Sequence, residues 1–289
     1  MHKIIYDCDN TMGILGRDVD DGLTLLYLMG RKDIDLLAIT TTHGNSTAEE
    51  VYANTLRITQ ELNIEIPVIK GGDISNRITD AAIFLAETVK KHPKEITILA
   101  TGSLTNLYGA HLYDKDFYNN VKNIVIMGGL TEPLIIMGNN INELNLSCDY
   151  EAAYNLLTSK CDITILTGNT TCMAIFSEGE LEKLKNSKIK VFEYIYKSII
   201  PWVEIMYTHF KVRAFCNWDA AAAISITNPE VFEWKEVYLN PNIDNLKKGY
   251  LGVSSDETDF KVKIPSKIIH LKRFNDLLFN SWENLFLIL

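Results

Sequence analysis

Ile4-Ile5-Tyr6-Asp7-Cys8-Asp9 is the stretch on which the reading of this chain turns. A short apolar run of β-branched and aromatic residues reads as a buried strand, and here two carboxylates close it. A loop then brings Asp18, Asp20 and Asp21 directly before a second apolar run at 23–29. Five aspartates thus fall within the first 21 residues. Unpaired charge is costly inside a core, so the cluster implies a cation that gathers it.

The strand signal recurs downstream. Apolar runs at 34–40, 66–69, 96–100, 121–127 and 163–166 read as strands, and 48–62, 79–91, 104–112 and 150–157 read as the helices between them. Near-continuously apolar strands alternating with helices predict an α/β fold, a mostly parallel central sheet with helices on both faces. Residues 176–215 read as helical with Pro201 interrupting them, and 218–226 as another helix after Asn217. From 237 the pattern is strand and turn, closing in an amphipathic helix over 271–287. With no repeat and no linker, a single domain over 1–289 is expected.

Open parallel sheets bind ligands outside the carboxyl ends of their strands. The residues there are polar and small: Asp7 and Asp9; then 41–45, reading Thr-Thr-His-Gly-Asn; then Thr101, Gly102, Ser103, Thr105 and Asn106; then Gly128 and Gly129; then 167–170. One rim carries them all.

The chain has 289 residues, 47% of them hydrophobic, and a formal charge of -9. That balance argues against a nucleic-acid backbone or an anionic membrane as partner, because both select clustered Lys and Arg. A small molecule is expected instead. No apolar stretch reaches the length of a membrane span, and no signal peptide is read at the N-terminus. Five scattered cysteines without a CxxC pair read as reduced thiols in a cytoplasmic protein.

Three chemistries compete for the aspartates. Helix capping accounts for one of them. Phosphoryl transfer is the second: Asp7-Cys8-Asp9-Asn10-Thr11 fits the DxDx(T/V) motif of haloacid-dehalogenase-like, magnesium-dependent phosphatases, with Asp7 as nucleophile. The third is a hard-cation site beside a sugar, since calcium takes several oxygen ligands and still leaves room for water and hydroxyls.

The order of motifs resembles the inosine-uridine-preferring nucleoside N-ribohydrolases. Asp7, Asp9, Asp20 and Asp21 correspond to that family's DxDxxxDD, and residues 42–45 to its xHGN. Pro67, Val68 and Gly71 correspond to PVxxG, 101–106 to GPLTN with Ser103 for proline, and 124–129 to IVxMGG. Further on, 143–145 correspond to EFN with Leu144 for Phe, 148–153 to DPEAA with Tyr150 for proline, and Trp218-Asp219 to HD/WD. Arg273, Phe274 and Leu277 resemble the C-terminal helix.

This resemblance implies a nucleoside hydrolase fold, Rossmann-like, and calcium-dependent hydrolysis of ribonucleosides to free base and ribose. It implies Ca2+ held by Asp9, Asp21, the carbonyl of Thr105 and Asp219, with Asp9 taking the proton from the attacking water. It implies that Asp20, Asn45 and Asp219 bind the 2′- and 3′-hydroxyls, and that Glu143, Asn145 and Asn139 hold the 5′-hydroxyl. Asp7 would support the site from behind. Trp218, stacking on the base, implies a purine lean, and the family implies a homodimer or homotetramer. A pocket of carboxylates and amides suits the positive charge that develops on ribose as the N-glycosidic bond breaks.

Three departures stand out. The loop from Asp9 to Asp20 is longer than the family's, which makes Asp18 an alternative ligand. The segment between Gly71 and Ala82 is shorter than the family's loop over the base, so the family's base recognition is not carried over. Trp218 replaces the usual His, leaving His209 as an acid upstream. A homologue that binds nucleosides or sugars without turnover remains an alternative reading.

Overall fold

The computed structural model describes residues 1–285. Strand β1 (His2–Cys8) is flanked by β2 (Ile34–Thr41) and, across the sheet, by β4 (Ile96–Ala100), with β3 (Val68–Lys70) outside β2 and β5 (Asn123–Met127) outside β4. Ile163–Leu166 continues the parallel order beyond β5, and Phe260–Ile268 pairs parallel with it through Lys263 and Thr164. Phe232–Leu239 and Val253–Ser254 then add an antiparallel edge. The sheet is mostly parallel, as the alternation of strands and helices implied.

The order β3-β2-β1-β4-β5 reverses direction between β1 and β4. Connections leave β1 toward one side and β4 toward the other, which opens a crevice at their carboxyl ends. The pleat sorts β1 between two cores. Ile4, Tyr6 and Cys8 join the layer of α1 (Asp20–Gly30) and the helices Trp218–Thr227 and Leu271–Asn284. Ile5 faces the opposite layer, that of α3 (Asp80–Lys91) and α4 (Thr105–Tyr113). Trp282 locks the first layer by donating its indole N–H to the Leu23 carbonyl at 3.1 Å. Helix α2 (Ala48–Glu61) begins at a Thr47 cap.

Two local expectations differ from the structure. Helix Lys190–Phe210 runs through Pro201 rather than stopping there; the proline removes only its own N–H from the ladder, and Ile195, Ile199 and Val203 keep the helix packed on the core. The break falls earlier, between Glu178–Lys185 and Lys190–Phe210. The C-terminal helix is Leu271–Asn284, and residues 286 and 287 of the expected span lie outside the described ones. Among the described residues, no helix is long and apolar enough to cross a membrane.

Candidate active site

Asp9 leaves the end of β1 fully buried, and the turn after β2 closes on it. The Asn45 backbone N–H donates to Asp9 Oδ2 at 2.5 Å and its side-chain amide to Oδ1 at 3.2 Å. Gly44 makes this approach feasible: a Cβ there would sit 2.0 Å from Asp9 Oδ2. Asn45 Nδ2 also lies 3.4 Å from Asp21 Oδ2. On the other oxygen of Asp21, the Thr101 hydroxyl donates at 2.7 Å and the Tyr6 hydroxyl lies at 3.2 Å.

Asp20, Asp21 and Asp219 converge, each offering an oxygen within 4.8 Å of the others. Asp20 Oδ2 accepts the backbone N–H of Asp219 at 3.1 Å, which joins the start of α1 to the start of helix Trp218–Thr227 across the sequence. Asp9 stands next to this trio, with one hydrogen bond from Asn45 on each of its oxygens and a lone pair left on each. Asp18, at the loop end, accepts the Val19 N–H at 2.7 Å and borders the same space.

Burial pushes the carboxyls of Asp9, Asp20, Asp21 and Asp219 upward, and mutual repulsion adds to it: Asp21 acts on Asp9, Asp18 on Asp20, and Asp20 on Asp219. Among the described residues, no Lys, Arg or His ion pair within 4.0 Å reaches any of them. Buried charge of one sign without a counter-charge is strongly unfavourable. An all-oxygen set of this kind fits a hard divalent cation.

Asp7 faces the other layer. Its Oδ1 accepts from Thr40 Oγ1 at 2.6 Å and from Asn106 Nδ2 at 2.8 Å, and burial raises its carboxyl to about 7. Like Asp9 and Asp21, it is buried behind the residues that line the cavity. Its bonds to Thr40 and Asn106 hold it toward the layer of α3 and α4, away from the aspartate trio, which counts against the nucleophile role that the phosphatase reading assigned.

A cavity of about 550 Å³ opens over the aspartates. Asp18, Asp20, Asn45, Asn145 and Asp219 form its acidic and amide side, while Met127, Trp202, Met206, Phe210 and Trp218 form an apolar side. Nothing from 71–82 borders it. Arg77 explains why: its guanidinium is tied to Asp149 at 2.9 and 3.1 Å, and this holds the short segment down against α4.

Glu143 and Asn145 both border the cavity, though much of their capacity goes to the backbone. Glu143 Oε1 accepts the N–H groups of Gly129 and Leu146, and Oε2 that of Ser147. Burial raises the carboxyl to about 7 against these three bonds. Asn145 Nδ2 donates to the carbonyls of Thr101 and Met127.

Not every expected residue arrives. Asn139 sits exposed in the two-residue-strand hairpin Ile135–Ile136 and Asn139–Asn140, with Nδ2 on the Met137 carbonyl; the hairpin turns it outward, and Asn142 borders the cavity instead. Thr105 is buried in the first turn of α4 with its hydroxyl between His43 Nε2 at 3.0 Å and Asp149 Oδ2 at 2.8 Å. His209 is exposed and away from the cavity. The sequence reading placed Thr101 on the rim without a role, and it missed Tyr6 and the cavity residues Trp202, Met206 and Phe210. The last three follow an i, i+4, i+8 spacing, the signal of a single helix face.

Comparison with known proteins agrees with this geometry. The family model described as inosine-uridine preferring nucleoside hydrolase matches residues 4–275. A probable uridine nucleosidase 2 of Arabidopsis thaliana is 26% identical, covering 86% of this chain and 84% of that protein. The inosine-uridine preferring nucleoside hydrolase of Crithidia fasciculata is 25% identical over 81% of this chain and 82% of its own. In fold, the chain is similar to a purine-preferring ribonucleoside hydrolase from Gardnerella vaginalis, with a TM-score of 0.85, 21% identity, and coverage of 99% and 100% of the two chains.

Proposed function

The chain belongs to the inosine-uridine preferring nucleoside hydrolase family, and from that premise we propose that it is a calcium-dependent ribonucleoside hydrolase with a preference for purine bases. The observation that carries this reading is a set of buried carboxylates without a basic partner, two of which, Asp20 and Asp219, line one cavity together with Trp202 and Trp218.

Asp9, Asp21, Asp219 and the carbonyl of Thr105 are the proposed calcium ligands, and the convergence of Asp20 on Asp21 and Asp219 adds a further carboxylate oxygen beside them. When bound, such a cation supplies Lewis-acid activation of water. Asp9 is the proposed base. Its carboxylate is held by Asn45 through both oxygens, which fixes its orientation for accepting a proton.

Asp20, Asn45 and Asp219 are proposed to grip the 2′- and 3′-hydroxyls, so that ribose binding positions the anomeric carbon. Glu143 retains acceptor capacity on Oε2 for the 5′-hydroxyl, with Asn145 beside it. The carboxylates also favour the cationic ribose of the transition state over the neutral substrate.

On the apolar side, Trp218 and Trp202 offer flat surfaces to the base. Larger ring area favours purines in such a pocket. The reading is tested by incubating the protein with inosine, guanosine, uridine and cytidine, with calcium or with a chelator, and separating free base from nucleoside. Calcium-dependent base release that disappears in Asp9→Ala supports it; full activity in that variant removes it.

A further inference from the structure

A second cavity of about 680 Å³ adjoins the first. Leu130, Leu134, Ile141, Asn142 and Glu143 border both, so Glu143 stands in their common wall. The second cavity is also lined by Lys247, Lys248, Ser147 and Tyr250. In a chain of net charge -9, Lys247 and Lys248 bring positive charge to the cavity that Glu143 borders.

The lysine turn is held in place by its backbone. Leu130 donates its N–H to the Gly249 carbonyl at 2.7 Å, and Leu251 donates to the Leu130 carbonyl at 3.0 Å. Gly249 has φ +77°, and a Cβ on it would lie 2.3 Å from Glu143 Cβ. Only glycine both adopts that conformation easily and lets the turn lie directly on Glu143. The backbone of the lysine turn is therefore held in fixed register with the proposed 5′-hydroxyl acceptor.

The charges are arranged to receive an anion. Lys247 Nζ lies 3.5 Å from Asp244, whereas Lys248 has no ion pair within 4.0 Å among the described residues. Three backbone N–H groups face the Glu143 carboxylate and offset its repulsion of a neighbouring anion. Tyr250 adds a hydroxyl donor to the lining, while the Ser147 hydroxyl is already given to the Glu143 carbonyl at 2.6 Å.

We propose that this second cavity is an anion subsite for the 5′-phosphate of a ribonucleoside 5′-monophosphate, so that the enzyme cleaves nucleotides as well as nucleosides. The proposal rests on the reading that Glu143 marks the 5′ end of bound ribose. The bond change is unaltered by the phosphate. The water oxygen joins C1′, the C1′–N bond breaks with its electron pair going to the base nitrogen, and that nitrogen takes up a proton. The products are free base and ribose 5-phosphate, with the phosphate ester intact.

The test measures base release from inosine and from inosine 5′-monophosphate by the calcium-loaded protein, its Lys248→Glu variant and a Lys247→Ala/Lys248→Ala double variant. Calorimetric titration with both ligands runs alongside. The expected result is turnover of both substrates by the native chain. KM for the monophosphate should rise about tenfold or more in the variants, the scale of one lost charge-assisted hydrogen bond, with inosine kinetics within about twofold of native. Hydrolysis of inosine with neither binding nor cleavage of the monophosphate overturns the subsite and leaves the nucleosidase reading standing. Cleavage of the monophosphate with equal KM in all three proteins also overturns it. Failure of the native chain to release base from either substrate removes the nucleosidase reading and the subsite with it.

Discussion

Asn45 holds both oxygens of Asp9, one by its backbone N–H at 2.5 Å and the other by its side-chain amide at 3.2 Å. The two bonds differ in what a mutation can remove. Asn45→Ala leaves the backbone bond and the turn intact while freeing one oxygen of the proposed base and one contact to Asp21. A fall of about 10²-fold in kcat/KM for inosine is expected, with an unchanged circular dichroism spectrum. Near-native turnover would show that the side-chain amide is not needed to orient Asp9.

Removing the cation should cost stability as well as activity. The aspartates that face one another without a basic partner repel in its absence. Saturating calcium at about 100 times its Kd stabilises the folded chain by about 2.7 kcal/mol if it binds only that state. Differential scanning calorimetry with calcium and with a chelator should show a Tm gap that grows with calcium concentration. Magnesium at equal concentration should give a smaller gap, since it demands tighter octahedral geometry.

How much of this site could be read from residues alone follows the range of the interactions. β1 and its terminal aspartates were legible because strand pattern and strand end are local signals. The partners of those aspartates were not. Asn45 claims Asp9 only because β2 lies beside β1 in the sheet, and Asp20 meets Asp219 across most of the chain. Trp202, Met206 and Phe210 had a helical spacing, but which face of Lys190–Phe210 meets the cavity depends on tertiary packing. Phe232–Leu239 and Phe260–Ile268 form an antiparallel edge through pairing that no local pattern specifies. Asn139 failed for a shorter-range reason: Met137 at φ +51° and Gly138 at φ +79° make a tight turn that points it outward.

Trp218 should govern affinity for the base more than the chemistry. Trp218→Ala removes a flat surface of the cavity, and aromatic stacking contributes about 0.5–1.5 kcal/mol beyond area burial. KM for inosine should rise about three- to tenfold, and KM for uridine less. Competition between the two nucleosides, assayed in one mixture, measures the difference directly. An equal loss for both would remove Trp218 as the source of purine preference.

Glu143 should impose a pH dependence on stability. Its folded-state pKa, raised to about 7 by burial, exceeds its ordinary value of 4.5. Between those values the folded chain holds the proton more tightly than the unfolded chain, so this group's contribution is greatest below pH 4.5 and is lost as pH rises through about 7. Glu143→Gln removes that titration. The difference in unfolding free energy between native and variant proteins, measured by urea denaturation from pH 4.5 to 8, should therefore shift steadily toward the variant. A flat difference would mean that the three backbone donors fully compensate burial.

Asp149 ties the short 71–82 segment to the proposed metal ligand Thr105, and its loss should be felt at both ends. One carboxylate accepts from Arg77, from the Thr105 hydroxyl at 2.8 Å and from the Ala152 N–H at 3.1 Å, where it caps helix Tyr150–Leu157. Its side chain is 1% exposed against 18% for Arg77. Asp149→Ala strands a cation and a hydroxyl near the core and uncaps a helix, so a loss of about 3–5 kcal/mol is expected. Glu151 contacts the same guanidinium but is 55% exposed, and Glu151→Ala should cost no more than about 1 kcal/mol. Asp149→Asn keeps a cap acceptor and most of the fold while weakening the hold on Thr105. If that hold orients the Thr105 carbonyl toward calcium, the Asn variant should show weaker calcium affinity by titration at a Tm only slightly reduced. Native affinity in Asp149→Asn would confine Asp149 to a structural role.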